Sequence, residues 1–335
     1  MVKNIFRISV FLIFLSSVLV LITPLFSVNS LVYPPRIDSV FVSQQQYLFE
    51  SKMKATGADS VQVFIYDPSQ LNINYIDIDL PMADSIHLRG WMAIDTTRII
   101  SPLLLIIPDI SEGAIDYIPA LKEFSSRGFN VCAMDLRGQG KSDGEKYLPG
   151  ETSVKDLAYM IKQLRTMPFI NHVAVLGSGT GAGIAISLLN DSTHADVLIL
   201  QNPVTTFNYF FAQTGGTFFS SIPEVFTPAI QRSYEKQTGI NIAELNYEKI
   251  ISELLIPQMF VTANFQSGDR IRQTLLMYDA STYFRKRLYV DTETFLKRPG
   301  FSNSKEYFDK ISAFINSSLP YKSKKVTRKK LATNI

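Results

Sequence analysis

The sequence predicts an α/β fold: a doubly wound, mostly parallel sheet behind one N-terminal hydrophobic helix. Three observations carry that reading. From Leu71 onward, short apolar runs alternate with stretches of helical apolar spacing, as in a sheet wrapped by crossover helices. Residues 102–107 (PLLLII) are apolar throughout, as a strand covered on both faces requires. Residues 172–189 pass from an apolar run through a glycine-rich turn into a helical pattern.

The elements follow in order. Lys3 and Arg7 precede an uncharged apolar run over residues 8–26. As a helix it would reach about 28 Å, close to the hydrocarbon thickness of a bilayer. The run is longer than the usual core of a cleaved signal, and the nearest small-x-small site, Val28-Asn29-Ser30, is poor. Residues 1–30 therefore read as a membrane anchor, with a cleaved signal as the alternative. The basic residues ahead of the run place the domain outside the cytoplasm, membrane-anchored or, after cleavage, secreted or periplasmic.

Residues 31–70 read as a linker or N-terminal extension, with a short helix near 44–54 and a strand near 61–66. Residues 72–80 and 86–94 read as strands, an antiparallel pair at a sheet edge. Further strands are expected at 102–107, 129–134, 172–176, 195–200, 257–262 and 286–290. Helices are expected at 114–127, 152–167, 180–189, 270–280 and 304–315. Residues 204–255 form a mostly helical insert, aromatic through Phe207, Tyr209, Phe210, Phe211, Phe218, Phe219 and Phe226.

Composition narrows the function classes. Of 335 residues, 46% are hydrophobic and 19% charged, which describes a globular chain with room for one large α/β domain. The formal net charge of +3 is local: six Lys and Arg fall within residues 322–330, so the rest of the chain is net acidic. Nucleic acid is not an expected partner, and residues 320–335 read as a basic, disordered tail. The one cysteine, Cys132, lies in an apolar run and excludes an internal disulfide or a Cys-rich metal site. No cofactor and no metal are expected. The histidines are His87, His172 and His194.

Two segments carry a family resemblance. The stretch DLRGQGKSDG at 135–144 resembles the D-x-R-G-x-G-x-S loop that follows the fourth strand of many α/β-hydrolases. HVAVLGSGTGAG at 172–183 has the place and shape of their nucleophile elbow. The HLRGWM stretch at 87–92 resembles the edge strand of lysophospholipase and serine-aminopeptidase-like members associated with membranes. The likeness covers roughly residues 71–319, and it implies an α/β-hydrolase fold with residues 204–255 as the lid.

The same resemblance implies a catalytic site that this sequence does not supply. The elbow G-x-S-x-G reads here Gly177-Ser178-Gly179-Thr180-Gly181, with Gly179 at the nucleophile position. Glycine has no group that attacks a carbonyl; only a slip of the turn would bring Ser178 or Thr180 to its apex. A triad also needs a histidine, and none follows His194. His172 begins the elbow strand about 17 Å from the turn, and His87 lies on the edge strand. The family's acid corresponds to Asp269, which also suits a helix N-cap. At the oxyanion hole, Pro108 has no N–H to give and Asp109 brings a negative charge.

Three functions compete. The first is a non-catalytic member that binds an apolar small molecule or a protein partner at the membrane. The second is an ester or amide hydrolase with rearranged machinery drawn from Ser178, Thr180 or Asp109. The third is a dinucleotide-binding protein, since the Gly177–Gly181 turn also resembles a pyrophosphate-binding turn. In that form Ala182 stands at the third glycine and Gln201 where an acid is expected.

Overall fold

Alternation along the strands sets the core. In β3 (Ser101–Ile107), Leu103, Leu105 and Ile107 enter one apolar layer while Leu104 and Ile106 enter the other. In β5 (Ile170–Ser178), Val173 and Val175 oppose Ala174 and Leu176 in the same way. Successive side chains of a strand point to opposite faces, so runs like these need cover on both sides. The computed structural model describes residues 7–11, 14, 28–29, 31–34, 36, 39–56, 64–110, 112–190, 195–207, 209, 227–263, 268–291 and 305–319.

The other strands are β1 (Tyr75–Pro81), β2 (His87–Ala93), β4 (Asn130–Met134), β6 (Val197–Gln201), β7 (Gln258–Ala263) and β8 (Lys286–Asp291). The eight strands lie in the order β1-β2-β4-β3-β5-β6-β7-β8. β2 runs antiparallel to both β1 and β4, and every other pairing is parallel. The expected edge pair is therefore present, and β3 to β8 all end at one edge of the sheet.

The helices are α1 (Ser39–Thr56), α2 (Ile118–Ser125), α3 (Glu151–Leu164), α4 (Thr180–Asn190), α5 (Thr227–Thr238), α6 (Tyr247–Glu253), α7 (Gly268–Ala280) and α8 (Lys305–Ser318). α2 and α8 cover one face. Tyr307, Phe308, Ile311 and Ile315 recur at helical spacing and are buried there, each side chain contributing roughly 1.5–3 kcal/mol by leaving water. α3 and α4 cover the opposite face through Leu157, Met160, Ile161, Ile184 and Leu188.

Three expectations change. The helix near 114–127 divides into a 3-10 turn, Ala114–Tyr117, and α2. Pro119 stands in the first turn of α2, where its missing N–H costs no helical hydrogen bond. The helix near 44–54 extends over Ser39–Thr56. Residues 64–66 are not strand, and 61–63 lie outside the described residues. Also outside them are residues 210–226, most of 8–26, and the tail from 320.

Residues just after the leader join the core. Val28, Leu31 and Val32 are buried in the same layer as Leu88 and Tyr147. The Val32 carbonyl accepts the Tyr147 N–H at 2.8 Å. The Arg36 guanidinium donates to the carbonyls of Ser142 and Gly144.

Candidate functional site: the glycine elbow

β3 and β5 are parallel neighbours, and their register places Ile107 opposite Gly177. The residues that follow each strand, Pro108-Asp109 and Ser178-Gly179, therefore leave the sheet side by side. Gly179 has φ +52°, the left-handed region that only glycine enters without steric cost. Its N–H donates to the Gln201 carbonyl of β6 at 3.0 Å, and its carbonyl accepts from Ala182 at 3.2 Å as α4 begins. A tight left-handed apex between strand and helix is the elbow geometry the sequence predicts.

The apex is occupied from outside. A Cβ on Gly179 would lie 2.3 Å from Asp109 Oδ2 and 2.4 Å from Asp109 Cγ. Asp109 Oδ1 accepts the backbone N–H of Thr180 at 2.9 Å, the Thr180 hydroxyl at 2.6 Å and the backbone N–H of Ile110 at 2.8 Å. An elbow hydrolase uses the N–H after its nucleophile and one from the loop after β3 as its oxyanion hole. Here the corresponding N–H groups, on Thr180 and Ile110, converge on a carboxylate of the chain itself. The α4 N-terminus adds its positive dipole end to the same oxygen.

Neighbouring groups hold this arrangement. Thr180 Oγ1 is 3.0 Å from the Tyr147 hydroxyl and accepts the Ile110 N–H at 3.0 Å. Gln139 Nε2 donates to the Asp109 carbonyl at 2.9 Å. The Asp109 N–H donates to Glu112 Oε2 at 3.2 Å, and the Tyr117 hydroxyl donates to the same oxygen. Burial, followed by the nearby Asp109 charge, pushes the Glu112 carboxyl up to about 8. Burial foremost raises both Tyr117 and Tyr147 well above the usual phenol range.

The structure thus brings together three of the five residues singled out, Asp109, Gly179 and Thr180. Ser178 is buried; the turn does not slip to put it at the apex. Asp269 is exposed in the first turn of α7, where a negative charge suits the helix dipole, and its charge acts on Tyr209. The N-cap reading is corrected by one position or more, since the helix already includes Gly268. His87 Nδ1 faces Asp79 across the β1–β2 edge, and His172 Nδ1 lies 3.6 Å from Asp196 at the opposite end of β5 from the turn. His194 lies outside the described residues. Sequence reasoning missed Glu112, Tyr117, Gln139 and Tyr147. Only Gln139 carried a signal, inside the 135–144 motif.

That motif builds a second glycine turn. Asp135 is buried, and its carboxylate accepts the N–H groups of Ala114 at 2.7 Å and Lys141 at 2.9 Å. Gly140 has φ +46°, and a Cβ there would meet the same carboxylate at 2.2 Å. Arg137 Nε and Nη2 grip Asp156 of α3, each at 2.9 Å, and its guanidinium also reaches Asp84. Ser142 Oγ donates to the Asp135 carbonyl at 2.7 Å and accepts the Arg89 N–H of β2 at 2.8 Å.

Comparison with known proteins agrees with this architecture. The family model described as serine aminopeptidase, S33, matches residues 101–250. The Pyrococcus furiosus esterase Pf2001 superposes with a TM-score of 0.59 at 18% identity, covering 77% of this chain and 97% of that one. The α/β hydrolase GrgF from Penicillium sp. sh18 gives 0.56 at 16%, covering 74% and 99%. Est1E from Butyrivibrio proteoclasticus, solved with ferulic acid, gives 0.55 at 13%, covering 72% and 98%. A search of curated proteins finds no match to this sequence. By its strand order and these matches, the chain has the α/β-hydrolase fold, and its residues 101–250 are similar to the serine aminopeptidase, S33, family.

Proposed function

We propose that this chain is a non-catalytic member of the α/β-hydrolase superfamily, held at a membrane by residues 8–26 and serving as a binding protein for an apolar small molecule or a protein partner. One observation carries the reading: Asp109 Oδ1 takes the two N–H groups that would otherwise receive a substrate oxyanion. An acyl-transfer transition state places negative charge there, and a resident carboxylate repels it. The side chain that would attack is absent at Gly179. The hydroxyls beside it are buried, and that of Thr180 donates to Asp109. The same carboxylate disfavours a pyrophosphate on this turn, and Gln201, where a ribose-binding acid is expected, accepts from the Tyr307 hydroxyl instead.

The anchoring part rests on the uncharged run over residues 8–26. Ile8, Val10, Phe11 and Phe14 expose apolar side chains. Among the described residues, no helix is long and apolar enough to cross a membrane.

The full-length protein in mild detergent tests the first part. Hydrolysis of p-nitrophenyl acetate and butyrate is expected at the buffer rate, with no labelling by a fluorophosphonate probe. Labelling that disappears in Ser178→Ala or Thr180→Ala would sink the non-catalytic reading. Carbonate extraction of cell membranes tests the second: the protein is expected in the pellet.

A further inference from the structure

The residues that follow the leader carry positional information. Val28 is wholly buried, and Ser27 alone separates it from Phe26, the last residue of the apolar run. Two residues span at most about 7 Å, so the end of the run lies within that distance of Val28 in any conformation. The chain then binds the domain directly. Leu31 and Val32 are buried, the Val32 carbonyl holds the Tyr147 N–H, and the Tyr147 hydroxyl reaches Thr180 Oγ1. One tyrosine side chain therefore connects the segment leaving the leader to the elbow. Arg36 fixes the next stretch to the loop at Ser142 and Gly144 and pairs with Gly140. These contacts all lie at the edge where β3, β4 and β5 end.

We infer that the leader is retained and that this edge of the sheet, with the elbow and the 135–150 loop, faces the lipid bilayer. The inference rests on the membrane-inserted reading of residues 8–26. Cleavage after Ser30 would remove Val28 from the core, and the short reach from Phe26 leaves no linker on which the domain could turn over. The far edge, where β5 begins, stands a strand length away from the lipid. An occupant of the elbow edge therefore arrives along the membrane surface, which favours a lipid-borne apolar molecule over a soluble one.

Single-cysteine probes read this orientation. Cys132 is buried and its thiol is pushed up to about 12, so it stays silent to alkylation near neutral pH. Glu145→Cys places a bimane in the exposed loop at the elbow edge, and Thr166→Cys places one on the exposed turn before β5. The full-length protein is reconstituted in phosphatidylcholine vesicles carrying a headgroup spin-labelled lipid. Quenching at 145 is expected to be roughly twofold or more stronger than at 166, since about 30 Å of β5 separates the two ends. Equal quenching, or stronger quenching at 166, overturns the orientation while leaving the anchor intact. Intact mass of the membrane-extracted protein is expected to include residues 2–30; a mature N-terminus at Leu31 overturns the inference. Protein that remains outside the vesicles overturns the anchoring reading itself.

Discussion

The two glycine turns at the ends of β4 and β5 use one device for different ends. Each has a left-handed glycine, Gly140 at φ +46° and Gly179 at φ +52°, lying under a carboxylate that a Cβ would strike. In the β4 turn the acid is local: Asp135 lies five residues before Gly140 and binds the turn to its neighbour at Ala114. In the β5 turn it is distant, because Asp109 comes from the loop after β3. The first arrangement fastens the loop to β2, α3 and the N-terminal segment. The second fastens two strand ends together with the donors that an elbow hydrolase leaves open. A carboxylate over a glycine is thus a structural clamp in both places, and at β5 the clamp coincides with the site.

Substitutions can break or sharpen this comparison. The largest expected effect is at the β4 turn. Arg137→Ala leaves the largely buried Asp156 without its partner and should cost about 3–5 kcal/mol, read as a fall in the urea midpoint without change in slope. Asp135→Ala removes two charge-assisted bonds and strands two backbone N–H groups; a loss of about 3 kcal/mol is expected. Near-neutral outcomes for both would mean that the β4 turn is not a clamp.

At the β5 turn the third expectation concerns pH. The Glu112 carboxyl lies at about 8 when folded against 4.5 as its ordinary value. The folded state therefore holds a proton that the unfolded state releases. Its contribution is full below about 4.5, declines as pH rises, and is exhausted above about 8. Between pH 5.5 and 8.5, Glu112→Gln should flatten a decline on the order of 2 kcal/mol in denaturation midpoints. Identical pH profiles for the two proteins would remove this role.

The smallest effect sharpens the comparison most. Gly179→Ser should cost about 2 kcal/mol, from collision with Asp109 and from the left-handed backbone. Asp109→Gly in the same chain should recover part of that loss, giving a favourable coupling on the order of 1 kcal/mol in a double-mutant cycle. Strict additivity would show that the two residues do not compete for one space.

Much of the fold was legible because its signals are local. Apolar runs marked the strands, and helical spacing marked α3, α4, α7 and α8. The 135–144 motif placed the β4 turn, since Asp135, Gly140 and Ser142 act on one another within eight residues. The elbow was legible as a shape for the same reason, and Gly179 as a departure within it. What Asp109 does there was not legible, because it acts across 70 residues on Gly179 and 71 on Thr180, through the β3–β5 register. Tyr147 and Glu112 carried no pattern at all, since burial and a shared oxygen define their roles. The docking of Val28 and Val32 was hidden by their position beside an apolar leader, where two more valines carry no contrast.

The collision between Gly179 and Asp109 also makes the two positions an interlock. A serine at position 179 meets the aspartate before it can meet a substrate. A small residue at position 109 opens the cradle of N–H groups with nothing beside it to attack. Each substitution alone carries a structural cost. A nucleophile at this apex therefore requires both positions to change together, and neither changes alone without loss.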